Sequence, residues 1–353
     1  MPCFLYLCTQ NKTNFMNLRI IFTVWAVLTA CSAHAYYACD DTVTYAPLSG
    51  SVYTEANYGH RFHGADRNRW DFPHIVAAAE FDMGRGWAAV AEIEYERMFE
   101  DGEWCNDHHE NFAVNRLLVD KTWSEALSVS IGVIGVPLGI TNSGGPALTI
   151  YDPVSEAALM PMTWHEAGAV LHGRTGRVGY ELAALAYGRL PVSGCRFVGL
   201  AAAAHWYPLE GAAVGIGVFG GDGCVGNLRR CSPDFIDSDR LMYGVIDAMY
   251  ERDGWTADGS VIYTNCGGAR SAGAEVGYDV MSSVGGGCCA LVPFVRYDGV
   301  FGIDDVAFSK FTAGVGLTVL DAVTLKIEYG RVRHRGAHTD NMLDVSLGYE
   351  LKF

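Results

Sequence analysis

The sequence predicts an all-β fold, a transmembrane antiparallel β-barrel of sixteen strands. Three observations point to it. Apolar and polar residues alternate with period two along most of the chain, the signature of a strand with two unlike faces. Glycine and aromatic residues are enriched together: Gly occupies 42 of 353 positions, beside 8 Trp, 18 Tyr and 16 Phe, a glycine share of about 12 % against a usual ~7 %. The connections between alternating segments are by turns short and long, as a barrel with one turn rim and one loop rim requires.

Composition removes other classes. Asp and Glu number 40 against 25 Lys and Arg, for a net charge of −15, so no nucleic-acid partner is expected, because a duplex binder needs a basic face to displace counterions. Half of the residues are apolar, and a chain this rich in aromatic side chains is not a disordered one.

The N-terminal region reads as a targeting segment. Met16-Asn17-Leu18-Arg19, the apolar run Ile20 to Leu28 and Ala33-His34-Ala35 form the charged start, short apolar middle and A-x-A end of a secretory signal over residues 16–35. Residues 1–15 add nothing to that pattern and read as an over-extended start. Leu28-Thr29-Ala30-Cys31 also resembles a lipoprotein box with Cys31 as the acylated residue, although the A-x-A site just beyond it favours cleavage after Ala35. Removal of this region takes away Lys12 and Arg19 and leaves the mature chain more acidic still. Residues 36–49 are expected to form an N-terminal periplasmic segment and residues 50–353 the barrel.

Within that barrel, Trp87, Ala89, Ala91, Ile93 and Tyr95 share one side of a strand and Glu92, Glu94 and Glu96 the other. The same division separates Val323, Leu325, Ile327 and Tyr329 from Thr324, Lys326 and Glu328. It recurs in Phe311 to Val319 and in Val345 to Phe353. The sixteen strands fall near 50–58, 71–83, 87–98, 112–121, 127–136, 163–173, 177–188, 195–206, 211–220, 240–252, 254–264, 270–281, 288–298, 308–319, 322–333 and 343–353. Longer connections are expected at 99–111, 137–162, 221–239 and 334–342. A soluble sandwich would bury the apolar faces against each other. A lipid-embedded barrel instead exposes them and gathers aromatics at the interfaces, which fits Tyr58, Trp87, Trp206, Tyr297, Tyr329 and Tyr349 near strand ends. Ala126 to Tyr151 carries no charge and could pass for a membrane helix, but Gly132, Gly135, Pro137, Gly139, Gly144, Gly145 and Pro146 break that reading into one strand and a loop.

Two resemblances add to this. Ser346-Leu347-Gly348-Tyr349-Glu350-Leu351-Lys352-Phe353 is similar to the closing signal of outer-membrane barrels, with its terminal aromatic, which implies recognition of Phe353 by the barrel assembly machinery. Ala91-Glu92-Ile93-Glu94-Tyr95-Glu96, Val136-Pro137-Leu138-Gly139-Ile140-Thr141-Asn142, Tyr151-Asp152-Pro153-Val154 and Pro161-Met162-Thr163-Trp164-His165-Glu166-Ala167-Gly168 resemble, in order and spacing, outer-membrane porins related to the phosphate-selective porin family. The resemblance implies a sixteen-stranded pore, often trimeric, with an inward-folded third long loop, here Pro137 to Met162. That loop holds Asp152 and Glu156 but no Lys or Arg, so phosphate selectivity is not carried over.

Taking the polar parity as lumen-facing places Glu92, Glu94, Glu96, Asp247, Glu251, Glu275, Asp279, Asp298, Glu328, Asp344 and Glu350 against Arg296, Lys310, Lys326 and Lys352. The residues singled out as pore-lining are Glu92, Glu94, Glu96, Asp152, Glu156, Asp247, Glu275, Asp279, Arg296, Lys326 and Glu328. An excess of carboxylates in a wet constriction concentrates cations, so a weak cation preference is expected, the competing reading being a solvated face without selectivity.

Rival motifs have plainer readings. Gly215-Ile216-Gly217-Val218-Phe219-Gly220 fits GxGxxG, but no βαβ unit surrounds it and the glycines suit a strand. His108-His109-Glu110 is a polar loop cluster rather than a metal site, and Trp164-His165-Glu166 reads as an anchor for the long loop. No Ser/His/acid grouping stands out, so no catalytic, cofactor or metal site is expected. Cys39, Cys105, Cys195, Cys224, Cys231, Cys266, Cys288 and Cys289 remain after processing; Cys224 with Cys231 is the foremost candidate disulfide, and Cys39 could reach Cys288 or Cys289, free thiols being the alternative. The reading is a passive outer-membrane diffusion channel for small hydrophilic solutes. Alternatives are a structural or adhesive barrel with a plugged lumen and a membrane-embedded hydrolase.

Overall fold

The computed structural model describes residues 47–63, 67–100, 103–104, 112–139, 147–160, 164–187, 196–222, 240–265, 268–284, 289–302, 307–334 and 339–353. The predicted signal segment, the lipoprotein box, the His108-His109-Glu110 cluster and every cysteine in the predicted pairs except Cys289 lie outside them. Cys289 is a free thiol.

The first wall of the barrel consists of β1 (Leu48–Arg61), β2 (Asn68–Gly84) and β3 (Trp87–Glu100), with a two-residue extension β4 (Glu103–Trp104), then β5 (Phe112–Ser124) and β6 (Leu127–Gly135). After a long connection come β7 (His165–Thr175), β8 (Val178–Tyr187), β9 (Arg196–Trp206), β10 (Ala212–Asp222) and β11 (Arg240–Arg252). The remainder is β12 (Trp255–Thr264), β13 (Arg270–Tyr278), β14 (Cys289–Phe301), β15 (Phe308–Val319), β16 (Val323–His334) and β17 (Thr339–Lys352). Apart from the short β4, each strand pairs antiparallel with its sequence neighbours, β3 continuing directly to β5, and β1 closes on β17. The result is a closed barrel of sixteen antiparallel strands, as the alternation predicted.

Local chemistry explains the elements. Turns between strands are tight on one rim; at Asp253-Gly254 both residues have positive φ, 52° and 81°, the twist that a two-residue hairpin turn demands and that Asp-Gly supplies. In β6, Gly132 (φ 143°) lies so close to β5 that a Cβ would meet the Leu117 carbonyl oxygen. Only glycine permits that approach. Where β3 meets β5 the register slips between Glu92 and Ile93, which leaves Asn115 as an extra residue in a β-bulge.

Several strands start or stop up to three or four residues away from the sequence reading, β1 at Leu48–Arg61 and β2 at Asn68–Gly84 among them, and two of these differences have an identifiable cause. β13 stops at Tyr278, because the Asp279 carboxylate accepts from Met281 N at 3.0 Å and Leu291 N at 2.9 Å and caps a 3₁₀ turn, Val280–Ser283. Asp279 therefore belongs to a turn and not to a strand. β17 begins at Thr339, four residues before the expected start, since Thr339 to Met342 pair with Arg333 to Gly330.

Exposure runs opposite to that of a soluble protein. Ile246 is 58 % exposed whereas its neighbour Asp247 is 4 % exposed, and Arg296 and Asp298, at 2 % and 1 %, flank Tyr297 at 45 %. Ile216, Ile246 and Val261 are register partners on three successive strands and form one outward apolar row. Such a surface is stable only against hydrocarbon, so the barrel is transmembrane. No helix of the described residues is long and apolar enough to cross a membrane; the strands make the crossing. Ile246→Arg is expected to destabilise the barrel by about 2–4 kcal/mol if this row lies at the bilayer midplane, read as a lower urea midpoint for the protein refolded into lipid vesicles; an unchanged midpoint would place the row in water.

Candidate functional site

The polar faces of β11 to β14 and of β16 are bonded to the segment Ala147 to Met160. The segment leaves β6 through Val136, whose N–H donates to the Trp164 carbonyl at 2.9 Å, so both ends of the connection are tied together at its base. There Val136, Leu138, Met160 and Trp164 are buried against Leu185 of β8, Phe219 of β10 and Tyr243 and Val245 of β11. The Trp164 ring lies 4.7 Å from that of Phe219 and 5.9 Å from that of Tyr243, centroid to centroid. Small residues on β9 and β10 make this docking possible: a Cβ at Gly217 would meet Leu138 at 3.3 Å. The GxGxxG stretch is thus strand β10, in which Gly217 admits the segment.

Further along, the segment is held by hydrogen bonds to carboxylates. Leu148 N donates to Glu275 at 2.8 Å and Ile150 N to Glu328 at 2.8 Å, while Lys326 Nζ donates to the carbonyls of Ala147 and Thr149 at 3.0 and 2.8 Å. One helical turn, α1 (Val154–Ala157), follows. Beside it Ser155 Oγ donates to Asp298 Oδ1 at 2.7 Å and Ser260 Oγ to Glu156 at 2.6 Å. Tyr243 completes the set with a 2.6 Å bond to the Leu159 carbonyl.

Arg296 joins the strand carboxylates. Its Nε lies 3.0 Å from both oxygens of Asp298, and its Nη1 3.1 Å from Glu275 and 3.6 Å from Asp258. Asp258, Glu275 and Arg296 are successive register partners across β12, β13 and β14, so the ladder itself sets these distances. Isolated charges this deeply buried would be costly, and reciprocal pairing offsets that cost. On the opposite part of the wall, Glu94 accepts from Asn115 at 2.7 Å and faces His74 at 3.0 Å; Glu92 accepts from Asn115 at 3.2 Å.

Among the residues singled out from sequence, Glu156, Glu275, Arg296, Lys326 and Glu328 meet in the network around the segment. Glu92 and Glu94 meet at the bulge, and Glu96 stands opposite His74 in register. Asp152 projects from the segment and is exposed. Asp247 is buried on β11 away from Arg296's direct partners, and Asp279 caps its turn. Sequence reasoning missed Ser155 and Asp258. Asp258 shares the parity of Ser260 along β12 and was findable on that ground; nothing in the sequence links Ser155 to Asp298, 143 positions away.

One grouping appears that the sequence concealed. Ser130, His172 and Asp120 converge on β6, β7 and β5: His172 Nε2 lies 3.1 Å from both Ser130 Oγ and Asp120 Oδ1, and Ser130 Oγ is hydrogen-bonded to Asp120 at 2.5 Å. A hydrolytic triad needs the acid on the other ring nitrogen. Here the acid accepts the serine's hydrogen bond directly, and Nε2 faces both partners. Among the described residues no group of three or more His, Cys, Asp or Glu side chains is placed to hold a metal.

Burial raises the pKa of Glu156 above the ordinary carboxyl value, against the lowering effects of its bond from Ser260 and of Arg296. A group whose pKa is raised in the docked state stabilises that state below its free pKa and loses the effect as pH rises through the shifted value. Protease protection of residues 147–160 is therefore expected to be greatest at acid pH and to weaken as pH rises above the usual carboxyl range; protection that grows with pH would contradict the burial of Glu156. Arg296→Met, which strands two buried carboxylates, is expected to cost about 3–5 kcal/mol, and Ser155→Ala about 1–3 kcal/mol, both read from urea unfolding in vesicles.

No family model matches the sequence, and no curated protein matches it. Solved structures do share the fold. Salmonella typhi OmpF, determined in complex with daunomycin, superposes with a TM-score of 0.66 at 11 % identity, over 86 % of this chain and 97 % of that one. Pseudomonas putida OprB gives 0.62 at 11 % identity, over 87 % and 94 %. An anion-selective porin from Comamonas acidovorans gives 0.56 at 13 % identity, over 86 % and 98 %. The fold is therefore that of the outer-membrane porins.

Proposed function

We propose that the protein is an outer-membrane porin, a passive diffusion channel for small hydrophilic solutes, and that the segment between β6 and β7 is an inward-folded loop that narrows its bore. The inverted exposure of the wall carries this reading: a barrel with an apolar outside and charged side chains within has lipid on one face and water on the other. The bonds from Leu148, Ile150 and Ser155 to Glu275, Glu328 and Asp298 support a loop held against that wall. Glu92, Glu94, Glu96, Asp152, Glu156, Asp247, Glu275, Arg296, Lys326 and Glu328 are the pore-lining set in this reading, Asp279 marking a turn at its rim. The excess of carboxylates among them supports a weak cation preference. Phosphate selectivity is not proposed.

The same reading assigns the chain to the outer membrane as a homotrimer, with residues 16–35 removed on export, Phe353 recognised by the barrel assembly machinery and no enzymatic activity. The bonding of Ser130 directly to Asp120 favours the channel over a hydrolase. Purified protein added to planar bilayers is expected to give discrete conductance steps and, in a KCl gradient, a reversal potential of the sign that favours potassium. Steps with chloride preference would remove the cation proposal alone. An absence of steps from folded protein would favour the plugged structural barrel.

A further inference from the structure

We infer that the outer wall seats one acyl chain of an anionic phospholipid, whose phosphate lies against Lys121 at the turn rim. This goes beyond the channel reading and rests only on the transmembrane wall. A trough of about 300 Å³ runs over that wall between β1 and β6. Three alanines form its floor, Ala79 of β2 and Ala89 and Ala91 of β3. Leu48 and Phe81 form one flank, Val119 and Ile131 the other, and all four are exposed. Register sets this relief: Ala89 lies between Phe81 on β2 and Val119 on β5. These flanks are two strand spacings apart, about 10 Å, a gap that one hydrocarbon chain fills.

The trough ends at a cation. Trp87 and Lys121 are register partners, one outward position closer to the turn rim than Ala89 and Val119. Lys121 Nζ lies 5.1 Å from the Trp87 ring centroid and 5.8 Å from that of Trp123, and it donates to the Arg85 carbonyl at 2.5 Å. The turn that presents this carbonyl is pinned to β5 by the 2.8 Å bond from Thr122 N to the Gly86 carbonyl. An ammonium has three donors, and one of them is used among the described residues. The carboxylates beside it are committed elsewhere. Asp120 faces the interior and accepts from Ser130 and Thr122, while Asp82 accepts from Gly84 N at 2.7 Å. Lys121 thus stands at the lipid boundary without an acidic partner among the described residues.

The two features together define the occupant. Hydrocarbon alone would fill the trough and leave the ammonium without a counter-charge. A lipid phosphate meets Lys121 with a charge-assisted hydrogen bond, and the exposed Arg85 of the adjoining turn adds a second cation. Trp87 and Trp123 are exposed, and indoles prefer the head-group level, which sets the phosphate at that depth and the acyl chain along Ala89 and Ala91. A zwitterionic head group would bring its own cation beside Lys121, so the site favours an anionic one.

The test uses the full folded protein in detergent micelles, supplied with dimyristoyl phosphatidylglycerol or dimyristoyl phosphatidylcholine and read by native mass spectrometry. One phosphatidylglycerol is expected to stay bound per chain, at least fivefold more often than phosphatidylcholine. Lys121→Gln is expected to bring the two lipids to parity, and Ala91→Phe, which fills the trough, to lower retention of both at least fivefold. Folding of each variant is judged by heat-modifiable gel mobility, and either variant carries the test should the other fail to fold. Equal retention of the two lipids by the unaltered protein, or phosphatidylglycerol retention unchanged in the folded variants, would overturn the inference. So would an Ala91→Phe protein that loses an oligomer and keeps its lipid, a result that assigns the trough to a second copy of the chain.

Discussion

The structure depends on one constraint: inside hydrocarbon, no water is present to satisfy a backbone N–H or C=O. A strand ladder meets that demand only if it has no edge. The pairing of β1 with β17 removes the edge, and the remaining features follow from it. Once the ladder closes, each strand has one face toward lipid and one toward the interior, and period-two alternation is the only pattern that serves both. The glycines at the tightest strand approaches, such as Gly132 against β5, keep the ladder continuous where a side chain would part it.

The interior is not uniform. Along β8 to β11 the buried face is small and apolar, with Ala183, Ala201, Phe219 and Val245, and it receives Leu138 and Trp164 as a soluble core would. Along β12 to β17 it is charged, and the segment is held there through carboxylates, Lys326 and backbone donors. Apolar burial fixes the base of the segment and directional bonds fix its remainder. These bonds are strong because they are charge-assisted and shielded from water, and they leave buried carboxylate atoms such as Glu328 Oε1 and Asp344 Oδ2 without a hydrogen-bond partner.

The strands were legible because their determinant is local. Trp87 to Glu96 and Val323 to Tyr329 carry the alternation of apolar and charged residues, and both segments are strands, β16 with the same division in its exposure. Where the pattern faltered, a specific interaction intervened. The Asp279 cap ended β13 early, and the β3–β5 bulge turned Asn115 toward Glu92 and Glu94. Between residues 195 and 220, Ala and Gly occupy both faces, so parity could not be read there, although the structure needs that smallness to seat Leu138.

By itself the sequence determined the strand count, the inside-out polarity and the identity of most charged interior residues, since each is a property of neighbours along the chain. Only the tertiary structure decided which charges meet: that Arg296 bridges Glu275 and Asp298, and that Ser155 reaches Asp298. Those juxtapositions come from the register between strands and from the path of a long connection. Both are set by closure of the whole ladder, a condition that no local stretch of residues can express.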